Sequence, residues 1–155
     1  MMTELEQLKS KVEQLNYPPT MLKINGEIEG VGFFPGATGI IGASKKISER
    51  AIMILGQDQD NEIGFKKSVK EGNEQYSKTW EYLGKLLQSA EIAEEDCFFT
   101  NSIMGIRKDT KSNSGFSPAF KDSVFINACL DFLTFQIATQ RPLSLIHISE
   151  PTRPY

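Results

Sequence analysis

Residues 51–65, AIMILGQDQDNEIGF, decide how the chain is read, because an apolar run passes without a gap into a cluster of amides and carboxylates. Residues 51–55 are short, continuous and partly β-branched, the composition of a strand covered on both faces in a parallel sheet. Gly56 then allows the chain to turn. In open α/β sheets, ligands bind beyond the carboxyl ends of the strands, which puts Gln57, Asp58 and Asp60 where chemistry is usually done. The same residues also fit a polar loop capping the next helix, and pattern alone weighs the two readings about equally.

Working outward, residues 97–107, CFFTNSIMGIR, are a second apolar run, and its strand (97–100) leads directly into Asn101. Residues 77–91, between the two runs, place Trp80, Leu83, Leu86, Leu87 and Ala90 on one face of a predicted amphipathic helix, with Trp80 as core. Residues 92–96 read as an acidic loop. At the amino end, Leu5, Leu8, Val12 and Leu15 form a helical stripe, Thr3 and Glu6 have the form of a capping box, and Pro18 and Pro19 end that helix. The Asn25-Gly26 pair signals a turn between short extended pieces. The glycine-rich stretch 30–42 has neither the Lys-Ser/Thr ending of a P-loop nor the spacing of a dinucleotide fingerprint, so it reads first as a structural turn. Backbone amides at Gly36 and Gly39 facing a phosphate or the pocket are the looser alternative. Residues 44–50 form a charged connection into the first strand.

Residues 108–118, rich in Ser, Asn and Gly, read as a surface loop. Helical spacing returns over 119–139 through Phe120, Val124, Ala128, Phe132 and Phe135, and Arg141-Pro142 stops it. The strand, helix, strand, helix order predicts an α/β fold: a three-layer α/β/α domain with a mostly parallel central sheet.

With 155 residues, 39% hydrophobic and 24% charged, the chain has the make-up of one soluble globular domain. No apolar run approaches a bilayer span, and the amino end lacks a secretory pattern, so a cytoplasmic protein without membrane contact is expected. Cys97 and Cys129 lie in apolar stretches and are expected to be reduced and buried. Two cysteines are too few for a four-cysteine metal site. A net charge of −3 argues against a general nucleic-acid coating protein. Positive charge nevertheless collects after both strands, at Lys66, Lys67 and Lys70, and at Arg107, Lys108 and Lys111. Charge alone reads more simply as two solvated faces.

The tripeptide GQD at 56–58, directly after an apolar strand, resembles the first motif of the uracil-DNA glycosylase superfamily. CFFTN at 97–101 is similar to the strand at whose end that superfamily places a base-recognising Asn. With Phe65 between the motifs, the order and spacing are similar to the family pattern over residues 32–142. The resemblance implies a partial uracil-DNA glycosylase-like domain over 21–142, preceded by an N-terminal helix and linker at 1–20. It also implies a monomer that excises uracil or a related damaged base from DNA in base-excision repair, with no cofactor and no metal.

Breaking the N-glycosidic bond of deoxyuridine develops positive charge on the sugar and negative charge on the departing base. The resemblance gives Asp58 the role of stabilising the sugar cation and activating water. Asn101, which both donates and accepts, suits a uracil edge, Phe65 offers a stacking face, and Gln57 lines the pocket. Lys66, Lys67, Arg107 and Lys108 are candidates for the DNA backbone. The chain departs from the family in three respects. Gln59 and Asp60 replace a Pro-Tyr pair whose Tyr excludes thymine, and Asp60 with Glu62 adds negative charge where phosphates approach. A His-bearing motif is missing, a loss that commonly costs on the order of 100- to 1000-fold in rate. The chain as written is therefore expected to be inactive or feeble.

Residues 143–155, LSLIHISEPTRPY, resemble read-through of a sequencing adapter and are read as a non-native tail on a C-terminally truncated domain. His147, the sole histidine, lies in that tail and is given no catalytic role. Two other readings stay open. Asp58-x-Asp60 after an apolar strand is loosely like a magnesium-dependent aspartyl-phosphate site, although Gly56 and Gln57 intervene. A non-catalytic module that holds a nucleotide or single strand would use the same pocket.

Overall fold

The apolar run at 51–55 becomes the middle strand of a parallel sheet, as its uninterrupted burial requires. The computed structural model describes residues 1–24, 49–71, 78–108 and 117–148. The expected turn at Asn25-Gly26, the glycine-rich stretch 30–42 and most of the loop 108–118 lie outside these. In chain order the elements are α1 (Glu4–Glu13), β1 (Met21–Leu22), β2 (Ile52–Gly56), α2 (Glu62–Glu71), α3 (Lys78–Ser89), β3 (Cys97–Asn101), β4 (Ile106–Arg107), α4 (Ser123–Gln140) and β5 (Ser144–His147). Short 3-10 turns at Glu94–Asp96 and Pro118–Lys121 precede β3 and α4.

The sheet has the order β3-β2-β5, all parallel, and a separate antiparallel ribbon pairs β1 with β4. Side chains alternate across β2 and β3, so each face of the sheet buries its own set. Ile54, Cys97 and Phe99 pack on one face against Leu83 and Leu87 of α3, and Trp80 tilts over Phe99 with ring centroids 4.8 Å apart. Met53, Leu55 and Phe98 face the other way, toward Leu133 of α4. Met53, Ile54 and Phe98 are at most 1% exposed, and burial on that scale contributes about 1.5–3 kcal/mol per side chain. The protein is therefore mixed α/β with helices on both faces of a parallel sheet. Among the described residues, no helix is long and apolar enough to cross a membrane.

The amino-terminal helix forms as its sequence predicts, with Thr3 and Glu6 closing a reciprocal capping box. Leu8 and Val12 bury against α4, and the Lys11 ammonium lies 4.5 Å from the centre of the Phe135 ring. Cys97 and Cys129 are free and buried, and burial pushes both thiols up from their usual range.

Two helical stripes differ from expectation. In α3, Leu86 is 65% exposed, because the buried line runs through Leu83 and Leu87 one residue to its side. The predicted helix over 119–139 begins later, since residues 118–121 close a 3-10 turn and Asp122 accepts from the Phe125 N–H as the true cap. The buried face is accordingly Phe125, Cys129, Phe132, Gln136 and Gln140, while Phe120 and Val124 are exposed. Arg141, left-handed at φ 47°, ends the helix before Pro142. The alternating residues after Pro142, read as a non-native tail, form β5 beside β2.

Candidate functional site

Strands β2 and β3 end level, with Gly56 opposite Asn101. The two loops that leave them stay side by side. Ser102 N donates to Gly56 O at 2.9 Å, Ile103 N to Gln57 O at 2.8 Å, Gln59 N to Gly105 O at 3.1 Å and Arg107 N to Asp60 O at 2.8 Å. The Ser102 hydroxyl adds a bond of 3.1 Å to Gln57 O. Backbone pairing of this kind holds irregular chain in one shape, so the side chains of 57–61 and 101–107 have fixed relative positions. Tyr17 ties the amino-terminal segment to the same region by donating to Met104 O at 2.7 Å.

Asp58 points inward, its side chain only 4% exposed. Arg107, on β4, brings Nε to 3.1 Å from Asp58 Oδ2. The N–H is not aimed at the oxygen well enough for a hydrogen bond, so the contact is a close ion pair held by charge more than by alignment. Oδ1 accepts from Asp60 N at 3.3 Å. Burial pushes the Asp58 carboxyl above its ordinary range, and the opposing pull of Arg107, the Ser117 hydroxyl and the Asp60 N–H does not fully offset it. A carboxyl held in this way is more basic than one in water.

Asp60 turns the chain with a left-handed backbone at φ 69°. Its Oδ1 accepts from Asn61 N at 2.7 Å and lies 3.4 Å from Arg107 Nη2, so one guanidinium spans both aspartates. Asn61 caps α2 by accepting from Gly64 N at 2.9 Å. The other Asp60 oxygen lies where a Cβ on residue 64 would be, which explains a glycine inside the first turn of a helix. Gln59 is 2% exposed, and neither end of its carboxamide finds a hydrogen-bond partner among the described residues.

Asp58, Gln57 and Asn101 thus share one end of the sheet. Asn101 is partly buried, its carboxamide oxygen lying over the bare α-carbon of Gly56. Gln57 is partly buried and its carbonyl holds the facing loop. Phe65 sits in α2, partly buried against the core of α1, α4 and the 103–106 segment, where it packs before it can stack on anything else. Lys66, Lys67 and Lys108 are exposed, with Lys66 paired to Glu62 at 2.6 Å. Arg107 corrects the reading of it as a backbone-facing residue: it is 6% exposed, and its charge is taken up by Asp58 and Asp60.

Sequence reasoning did not find Gln59, Ser102 or Ser117, and it missed the partner of Arg107. One signal was present, since an arginine directly after an apolar run is placed to be buried, and a buried guanidinium requires a carboxylate. Below this end of the sheet, the Thr100 hydroxyl donates to Gln136 Oε1 at 2.9 Å and Gln136 Nε2 to Gln140 Oε1 at 2.8 Å, a buried polar chain that fastens β3 to α4. No family model matches the chain, and a search among curated proteins finds no match.

Proposed function

We propose that the protein is a DNA glycosylase-like hydrolase that releases uracil, or a related damaged base, from DNA. The observation that carries this reading is that the turn bearing Asp58 leaves β2 at the carboxyl end of the parallel sheet, where Gly56 is the register partner of Asn101. The likeness of GQD and CFFTN to the uracil-DNA glycosylase superfamily supports it.

In this reading the sugar of an extruded nucleotide must reach the Asp58 carboxylate, which is 4% exposed, so that it stabilises the cation that forms as the glycosidic bond lengthens and takes a proton from the attacking water. Its burial favours that proton transfer, because a carboxyl raised above its usual range holds a proton more tightly once it has taken one. The Asn101 carboxamide offers a donor and an acceptor to the amide edge of the base. Gly56 keeps space open for that carboxamide.

Base release from a single-stranded oligonucleotide carrying one uracil, followed by alkaline cleavage on a gel, tests the reading. The chain is expected to bind the uracil strand and to release base slowly. Asp58→Asn should lower release by on the order of 100- to 10,000-fold, and Asn101→Ala should weaken binding. Equal release by the parent and Asp58→Asn removes Asp58 from the mechanism. Binding with a steep salt dependence and no release would favour the non-catalytic module instead.

A further inference from the structure

Arg107 is the buried cation of the site, and the glycosylase reading gives it no task. It reaches Asp58 from a different element, β4, whose partner in the antiparallel ribbon is β1. Its backbone N–H is bonded to Asp60 O at 2.8 Å and its own strand lies in parallel register with Asn61. Both its main chain and its guanidinium therefore grip the same turn, the one that carries Asp58. A surface arginine bound to phosphate would need neither feature.

We propose that Arg107 is the positioning residue of Asp58, its guanidinium drawing the carboxylate toward β4 by charge and supplying the counter-charge that a buried anion requires. This rests on the glycosylase reading only for the consequence in catalysis, since the placement itself follows from the geometry of the turn. The groups that face Asp58 can be named. Arg107 approaches from β4 at 3.1 Å. Asp60, on the same turn, contributes an opposing negative charge and a backbone N–H, and Ser117, before the 3-10 turn, contributes a hydroxyl. Among the described residues that face Asp58, only Arg107 carries positive charge and favours the ionised form by charge. Its second contact, Nη2 to Asp60 at 3.4 Å, spreads the guanidinium across both carboxylates. A lysine would keep the charge and lose that span.

Carboxyl carbon and guanidinium NMR on the whole chain tests this without requiring turnover. In the parent, the Arg107 Nε–H resonance should shift with the same midpoint as the Asp58 carboxyl, and Asp58→Asn should abolish the shift. In Arg107→Met, the Asp58 midpoint should rise by at least one pH unit, a tenfold change in proton affinity. Arg107→Lys should leave the midpoint close to the parent while base release falls at least tenfold, and the pH profile of release should follow the Asp58 midpoint in each variant. An Arg107 resonance indifferent to the Asp58 titration overturns the proposal, and so does an unchanged Asp58 midpoint in folded Arg107→Met. If Arg107→Met does not fold, the parent resonance still decides. A parent that releases no base at any pH, yet shows the coupled titration, counts against the glycosylase reading and leaves the positioning role standing.

Discussion

Gly56 and Asn101 are register partners at the carboxyl end of the sheet, and the Asn101 carboxamide occupies the place where a side chain on residue 56 would begin. A Cβ there would come closer to Asn101 Oδ1 than real Cβ atoms come to anything. The short Asn side chain must then rotate away from the end of β2. Gly56→Ala is expected to cost about 1–3 kcal/mol of stability by overpacking. It should also weaken binding of a uracil-containing strand roughly 10- to 100-fold, about the worth of one good side-chain-to-base contact. Fluorescence anisotropy with Asn101→Ala alongside checks it, and parent-like binding by Gly56→Ala would show that the carboxamide has no part in recognition.

Asp58 links the site to pH-dependent stability. Its folded carboxyl binds a proton more tightly than the unfolded chain does, whose ordinary value is 3.8. Above that value and up to the raised folded one, the native state holds more protons than the unfolded state, so this group's contribution falls as pH rises. Asp58→Asn cannot titrate. Its stability relative to the parent should therefore improve as pH rises above the ordinary value of 3.8, and level off once Asp58 is ionised in both states. Urea denaturation across that range measures the difference, and a relative stability that declines with pH would reverse the sign assigned to burial.

Gln59 is buried with a carboxamide that finds no partner among the described residues. Such a group gives up its hydration without replacing it, so an apolar side chain of similar size should be tolerated or preferred. Gln59→Leu is expected to stabilise the protein by about 1 kcal/mol. Thermal unfolding by circular dichroism tests this. A loss of stability would mean that the amide has a partner in the folded protein in solution, such as a bound water.

The opposite outcome is expected at Gln136, whose amide oxygen and nitrogen are both hydrogen-bonded. It accepts from the Thr100 hydroxyl and donates to Gln140, all within the interior between β3 and α4. Gln136→Leu removes one hydrogen bond from each neighbour and should cost about 1–3 kcal/mol. Chemical denaturation of the single and double variants with Thr100→Val measures it. Because the two side chains share one bond, the double variant should lose less than the sum of the two singles.

Local pattern alone determined α1, β2, α3 and β3. The apolar run at 51–55 is too short and too continuous for a half-exposed helix, and the Thr3-Glu6 box announces its own helix start. The end of β3 at Asn101 was legible as the end of an apolar run, whereas its position level with Gly56 came only from the sheet register. Where α4 begins was less so, since Asp122 and the preceding 3-10 turn compete with an unbroken apolar spacing, and capping prevailed over periodicity. That choice rotated the helix and exposed Phe120 and Val124.

Only the tertiary structure decided what the charged residues do. Lys66 and Arg107 look alike in sequence, each a cation after a candidate site strand, yet one is exposed beside Glu62 and the other is interred between two aspartates. Periodicity reports which residues leave water, because burial of apolar surface repeats with the geometry of a helix or strand. It does not report which buried charge meets which, because an ion pair is made across chain segments brought together by the whole fold and leaves no repeat along the chain.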